Sequence, residues 1–269
     1  VNKLGKRFDY SFVVQKDSSV FALVSQSDSI SIVLRPKKNS VFKIVRESKG
    51  DTVICSFSIH KLVKPASFND EYKVENEGKI IIEVPEVYEL VNIIFALTEY
   101  GKTGAIEKNT NYYREVIDHF TPYSQDPIVR SIDSLLKFEP SYFYLHLKMD
   151  SYAFVFSGNK IVNGGIYDRI ASGDKNELEP YIPLLESFAE KSRFIVFYKD
   201  NLSYYSRLKK EFKDNINVLD MASWLGKQFP TIKYSAHKVI FSPLVGWNQS
   251  AQSFSDNGFT EAQAHVNYP

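Results

Sequence analysis

Cysteine occurs once in this 269-residue sequence, as Cys55, which excludes an internal disulfide and a cysteine-based zinc cage. It sits in the alternating stretch TVICSFSI (52–59), where a buried core thiol is expected. Histidine is sparse too. His60, His119, His146, His237 and His265 are never four apart, and the sequence H-E-x-x-H is absent. Neither sign of charge dominates: 33 Lys and Arg face 32 Asp and Glu, a net charge of +1, so no overall field gathers nucleic acid or an anionic membrane. The runs Arg35-Pro36-Lys37-Lys38 and Arg207-Leu208-Lys209-Lys210 are short and interrupted and read as solvated surface. The longest apolar run, LVNIIFAL (90–97), falls short of the ~20 residues that cross a bilayer, so no membrane-spanning segment is expected. No G-x-S-x-G elbow is found, and Ser242 is followed by Pro243, which weakens a serine-hydrolase reading. Neither a G-x-x-x-x-G-K-[ST] loop nor a G-x-G-x-x-G after a strand offers a phosphate cradle, and VNGGIYD (162–168) reads as a turn.

The composition is that of a folding protein, with 43% hydrophobic and 24% charged residues. The length exceeds a typical single domain, and two domains are expected. From about residue 9 to 84 the dominant period is two, in DYSFVVQ, SVFALVSQ, SISIVLRP, SVFKIVRE, TVICSFSIH and KIIIEV. A β-rich N-terminal domain over 1–84 follows from that pattern, with the polar stretch 64–78 as a surface loop. At Val84-Pro85-Glu86 the period changes, and a helix is expected over 86–100. Pro85 stands in its first turn, Glu86 and Glu89 near its positive end, and Gly101 just past its last turn. Its apolar residues cover more than one face, which places it centrally.

Further helices are expected over 110–120 and 126–138, the second opening at Asp126-Pro127 as N-cap and first helical residue. SYFYLHLKM (141–149) and SYAFVFSGNKIV (151–162) have strand chemistry, turned near Asp150-Ser151 or Gly158-Asn159. A helix over 174–191 must start late or kink because of Pro180 and Pro183, and RFIVFY (193–198) reads as a buried strand. Helices over 202–214 and 218–228, then the strand KVIFSPLVG (238–246), complete an α+β chain. The second domain, 85–269, is thus a mixed helix and strand unit.

Few constellations suggest chemistry. Glu115 with His119, and Glu261 with His265, each place a carboxylate and an imidazole on one helical face, but both pairs lack a third metal ligand and read as helix-stabilising contacts. No metal site is assigned. The acids Glu83, Glu86 and Glu89, and Glu177 with Glu179, read as solvated helix starts rather than a glycosidase pair. SPLVGWNQSAQSF (242–254) is different in kind. An apolar strand breaks at Gly246 into Trp247, Asn248 and Gln249, an aromatic platform with amide hydrogen bonds at a strand end. These four residues are the substrate-binding candidates at a cleft edge. The competing reading is a loop whose tryptophan covers the core.

Three stretches carry a resemblance: IEVPEVYELVNIIFALTEYG (82–101), NYYREVIDHFTPYSQDPIV (111–129) and VIFSPLVGWNQSAQSF (239–254). Together they resemble parts of a domain-of-unknown-function family of exported proteins from gut anaerobes, over residues 80 to 269. Members of that family look like zincin-type metallopeptidases with an H-E-x-x-H-like helix soon after the segment similar to 242–254. The resemblance implies that residues from 239 onward form the sheet edge above such a cleft, with the metal helix beyond Pro269. GFTEAQAHVNYP (258–269) then reads as a strand and turn leading onward, and zinc is expected only from such a following motif. With no motif here, catalytic residues are not assigned and no cofactor is expected for this stretch. The implied role is an exported zincin-related protein, inactive as it stands. The alternative is a noncatalytic extracellular or periplasmic module that binds a peptide or glycan. VNKLGKRFDY holds no signal-type apolar core, so an export segment is expected to have been removed.

Overall fold

A computed structural model describes residues 64–268 apart from Asp174, Asn248 and the side chain of Leu219, and for residues 1–63 it describes only strands and their pairing. The chain divides into two compact units, Val1–Val63 and Lys64–Pro269. In the first, β1 (Asp9–Gln15), β2 (Ser18–Val24) and β3 (Ser29–Leu34) pair as an antiparallel meander, and β4 (Ser40–Ser48) pairs with β5 (Asp51–Ile59) as a hairpin. The surroundings of Cys55, His60 and the basic run 35–38 lie outside the described residues.

The boundary falls 21 residues before the expected one, at 63 instead of 84. Two features of the sequence explain the difference. The polar stretch expected as a loop contains α1 (Asp70–Asn76), capped by Asn69, whose side chain accepts a hydrogen bond from the Tyr72 N–H at 2.8 Å. The alternating run after it, β6 (Ile80–Glu83), pairs in parallel with a strand near the end of the chain. Alternation identifies a strand but not its partner.

The second unit is α+β. Its central helix, α2 (Glu86–Leu97), is buried at every residue from Val87 to Ala96 and continues as a short 3-10 turn over Glu99–Lys102. Pro85 is its N-cap, one residue before the position expected from sequence. Gly101 lies inside the 3-10 turn, where a Cβ would stand 2.5 Å from the Ala96 carbonyl oxygen. Around α2 pack α3 (Asn111–Phe120), capped by Thr110, and α4 (Pro127–Phe138), capped by Asp126. Both begin where their caps place them.

Next comes α5 (Pro140–Asp150), a helix where strand chemistry was expected. The hairpin of β7 (Phe154–Ser157) and β8 (Lys160–Asn163) turns at Gly158, with φ of 62°, as one of the two expected turns. α6 (Ile182–Lys191) does start late, after Pro180 and with Pro183 in its first turn. α7 (Phe194–Asp200) is the second expected strand found as a helix. Its buried side chains Phe194, Phe197 and Tyr198 fall at i, i+3 and i+4, one helical face within a run rich in β-formers. α8 (Leu202–Asn215) and α9 (Val218–Gln228) follow.

The chain then forms β9 (Ala236–Ser242), β10 (Ser250–Asp256) and β11 (Phe259–Asn267). The sheet has the order β10-β11-β9-β6. β6, β9 and β11 are parallel, and β10 alone runs the other way, at the edge. The β10–β11 turn is Asn257-Gly258, both with positive φ (49° and 76°), which is the twist a two-residue hairpin needs. The register gives the sheet two unlike faces. Ile82, Val239, Phe241 and Val266 share the apolar one, where Phe212 of α8 stacks on Phe241. Glu83, Lys238, Glu261, Gln263 and His265 share the other.

Candidate functional site

The segment expected at a cleft edge forms the turn between β9 and β10. The chain from 104 to 107 crosses Gly246 there: its N–H donates to the Ala105 carbonyl at 2.9 Å, and a Cβ would meet the Gly104 carbonyl oxygen at 2.5 Å. Only glycine fits that approach. Trp247 lies above Gly104 and is 52% exposed, so its ring faces solvent more than it covers the core. Gln249 donates from Nε2 to the Asn267 side chain at 2.5 Å, which ties the turn to the end of β11. Asn248 lies outside the described residues. Trp247 and Gln249 therefore flank the start of β10.

β10 pairs on one side only, with β11, among the described residues. Its far end is fastened: Asp256 accepts from Lys64 Nζ at 2.7 Å and from the Phe68 N–H at 3.0 Å, and Asn257 Nδ2 donates to the Phe68 carbonyl at 3.0 Å. The two-residue turn makes Asp256 and Phe259 a hydrogen-bonded pair, so Phe254, Gln252 and Ser250 also direct their backbone groups to β11. Ser255, Ser253 and Ala251 then direct theirs away. The Thr260 carbonyl, opposite Ser255, agrees with this phase, because it accepts from Ser235 on the side away from β10.

The polar face of the sheet was not foreseen. Glu261 is fully buried on β11 and accepts from the hydroxyl of Tyr72 at 2.5 Å, from that of Tyr167 and from Gln263 Nε2 at 2.9 Å. Lys238 Nζ stands 3.8 Å from Glu261 Oε2, with the rings of Tyr72, Tyr152 and Tyr167 at 5.1, 5.4 and 5.4 Å. Tyr152 donates to Glu83 at 2.9 Å. Burial and the nearby carboxylates push all three tyrosines well above their ordinary range, so each stays a neutral donor. This is a satisfied ion pair under an aromatic lid. Removing one of its charged partners strands the other, at a cost of about 3–5 kcal/mol.

Beside it, His265 is buried with no hydrogen-bond partner on either ring nitrogen, against the rings of Tyr88 (5.7 Å) and Tyr152 (6.2 Å). Burial, with the Lys148 amine nearby, pulls its pKa down to about 3. Burial lowers Lys148 to about 7. Glu89, read from sequence as part of a solvated helix start, is instead fully buried because α2 is covered on all sides. Burial raises it to about 7 against the hydrogen bond that Tyr112 donates at 2.6 Å.

The two carboxylate–imidazole pairs part company. His119 Nε2 lies 2.8 Å from the Ser192 carbonyl and its ring packs on Phe120 and Phe197, a local structural role. Glu261 and His265 share a strand face where a helix face was expected. Among the described residues, no group of three or more His, Cys, Asp or Glu side chains is placed to hold a metal ion.

The sequence profile of a domain of unknown function, DUF4932, matches residues 80–266. The chain belongs to the DUF4932 family. Comparison with curated proteins and with solved structures gives no match. The DUF4932 span opens at the first residue of β6 and closes one residue before the end of β11, so it contains all four strands of the sheet. Three of the buried polar residues had a signal in the sequence. E-A-Q-A-H puts Glu261, Gln263 and His265 at period two with alanines between, the mark of a strand with one polar face. The tyrosines that complete the DUF4932 polar face come from 72, 152 and 167, and no local pattern joins them.

Proposed function

We propose that this DUF4932 chain is an exported, zincin-related protein that holds an extended peptide along β10 and carries no catalytic metal motif of its own. The observation behind the reading is the edge position of β10, the one antiparallel strand of the sheet, with Ser255, Ser253 and Ala251 directing backbone donors and acceptors away from β11. A peptide lying antiparallel to such an edge gains main-chain hydrogen bonds at every second residue and contacts side chains of alternating direction. The fastened turn at Asn257 and the fixed Gly246 keep the edge extended before a ligand arrives, which lowers the ordering cost of binding. The resemblance in the stretches 82–101, 111–129 and 239–254 supports the zincin relation, since the same edge would hold a substrate above a zincin cleft. The exposed Trp247 favours a second reading, in which a glycan ring stacks on the indole.

The test uses fluorescently labelled ten-residue peptides of alternating Val and Thr with Lys ends, titrated into the 269-residue chain. Ser253→Pro removes an outward N–H and no bond to β11, so it should leave the melting temperature nearly unchanged and weaken peptide binding roughly fivefold to tenfold. Peptide binding unaffected by Ser253→Pro, or none at all, would sink the peptide reading. Oligosaccharide binding lost in Trp247→Ala and kept in Ser253→Pro would establish the glycan reading instead.

A further inference from the structure

A cavity of about 260 Å³ lies beside the end of β6, and side chains from β6, α2, β7, α7 and α8 meet around it. Glu83 is the last residue of β6 and Glu86 the first of α2. The cavity therefore sits past the carboxyl end of a parallel strand, where the chain enters its crossover, the position at which sheets of this kind hold small ligands. Its volume is below the roughly 300–1,000 Å³ of sites for drug-sized molecules, so it suits a smaller occupant.

The charges that line it are Glu83, Glu86 and Lys209, and they do not pair with one another. Lys209 is half-buried, and among the described residues its ammonium has neither an ion pair nor a hydrogen bond. Glu83 accepts from the Tyr152 hydroxyl at 2.9 Å, and Glu86 from the Phe156 N–H, but neither forms an ion pair among the described residues. Burial raises the Glu86 carboxyl above its ordinary range, opposed by the positive charge of Lys199 outside the lining. The Tyr198 hydroxyl is already taken up by the Val84 carbonyl at 2.5 Å, and Pro85, Phe154 and Val155 add an apolar wall.

This combination selects the occupant. A simple amine would answer the two carboxylates and leave the Lys209 ammonium facing another cation. A simple carboxylate would answer Lys209 and meet two groups of its own sign. A zwitterion serves both, and an aliphatic side chain on it would cover the apolar wall. We propose that this cavity binds a free amino acid with an aliphatic side chain of about leucine size, its α-amine held by Glu83 and Glu86 and its α-carboxylate by Lys209.

β10 lies at the opposite edge of the sheet from β6, so this binding is read without any peptide and its failure leaves the role given to β10 intact. L-Leucine is titrated calorimetrically into the 269-residue chain, beside leucinamide, which lacks the carboxylate, and isocaproate, which lacks the amine. Leucine should bind with a Kd between about 10 μM and 1 mM, and each truncated probe at least about tenfold more weakly. Lys209→Met should weaken leucine about tenfold and leave leucinamide unchanged, whereas Glu86→Gln should weaken leucine and not isocaproate. Both side chains are half-exposed, and an unchanged urea midpoint confirms that each variant folds. Should either unfold, the two truncated probes on the unaltered chain still decide the matter. No heat from leucine at about 10 mM, equal affinity for leucinamide and leucine, or leucine binding unchanged in folded Lys209→Met overturns the assignment.

Discussion

Lys148 gives the sharpest quantitative test of the buried polar face. Its side chain is fully buried on α5, and its amine titrates near 7 instead of 10.5 because the charged form is denied water. In the unfolded chain the amine takes up a proton below 10.5, and in the fold only below about 7. Between those values the unfolded state binds more protons, so stability rises with pH, by about 1.4 kcal/mol per unit for a single group. From pH 7.5 to 9.5 this amounts to roughly 3 kcal/mol. Glu89 and His265 titrate at or below about 7, and the buried tyrosines, which keep their protons in the fold but begin to lose them near 10 when unfolded, lower stability toward pH 9.5 equally with and without Lys148. Lys148→Met keeps the length of the side chain and removes the titration. Urea unfolding followed at 222 nm, where the helices of the second unit dominate, is measured at pH 7.5, 8.5 and 9.5. The unaltered chain should gain roughly 3 kcal/mol across the range relative to Lys148→Met. Parallel profiles for the two proteins would refute the assignment of a neutral buried amine.

On the acid side, His265 stays neutral in the fold down to about 3 while an unfolded histidine protonates near 6.5, so its contribution is lost as pH falls between those values. His265→Leu should therefore move the acid-unfolding midpoint to lower pH, read by circular dichroism; an unmoved midpoint would mean that the ring is hydrated. Gly246→Ala places a methyl 2.5 Å from the Gly104 carbonyl oxygen, and the strain should destabilise the unit by about 1–3 kcal/mol, measured as a lower denaturation midpoint at unchanged m. An unchanged midpoint would show that the 104–107 crossing yields freely.

Where local rules govern, the fold was legible. Asp126-Pro127 starts α4, and the apolar residues of 86–97 form a helix buried along most of its length. The failures lie where tertiary contacts outvote local preference. SYFYLHLKM is rich in aromatic residues that favour strands, yet Pro140 opens a helix there and Tyr144, Leu147 and Lys148 turn inward together. RFIVFY fails the same way. Of the candidate site, the break at Gly246 and the exposure of a ring beside it were readable from the strand ending there. The ion pair of Lys238 and Glu261 was not, because parallel neighbours in a sheet are set by a crossover whose length carries no pairing code.

The order of the sheet has a consequence for synthesis. β11 is the last of the four strands to be made, yet it lies between β9 and β10. On a ribosome delivering residues from the N-terminus, β6 and β9 can meet before β11 emerges. The buried lysine on β9 then waits for its counter-charge, and the sheet cannot close, until residue 267 has cleared the exit tunnel. Until that moment the nascent chain presents an open parallel edge on β9, the kind of surface that recruits chaperones or neighbouring chains.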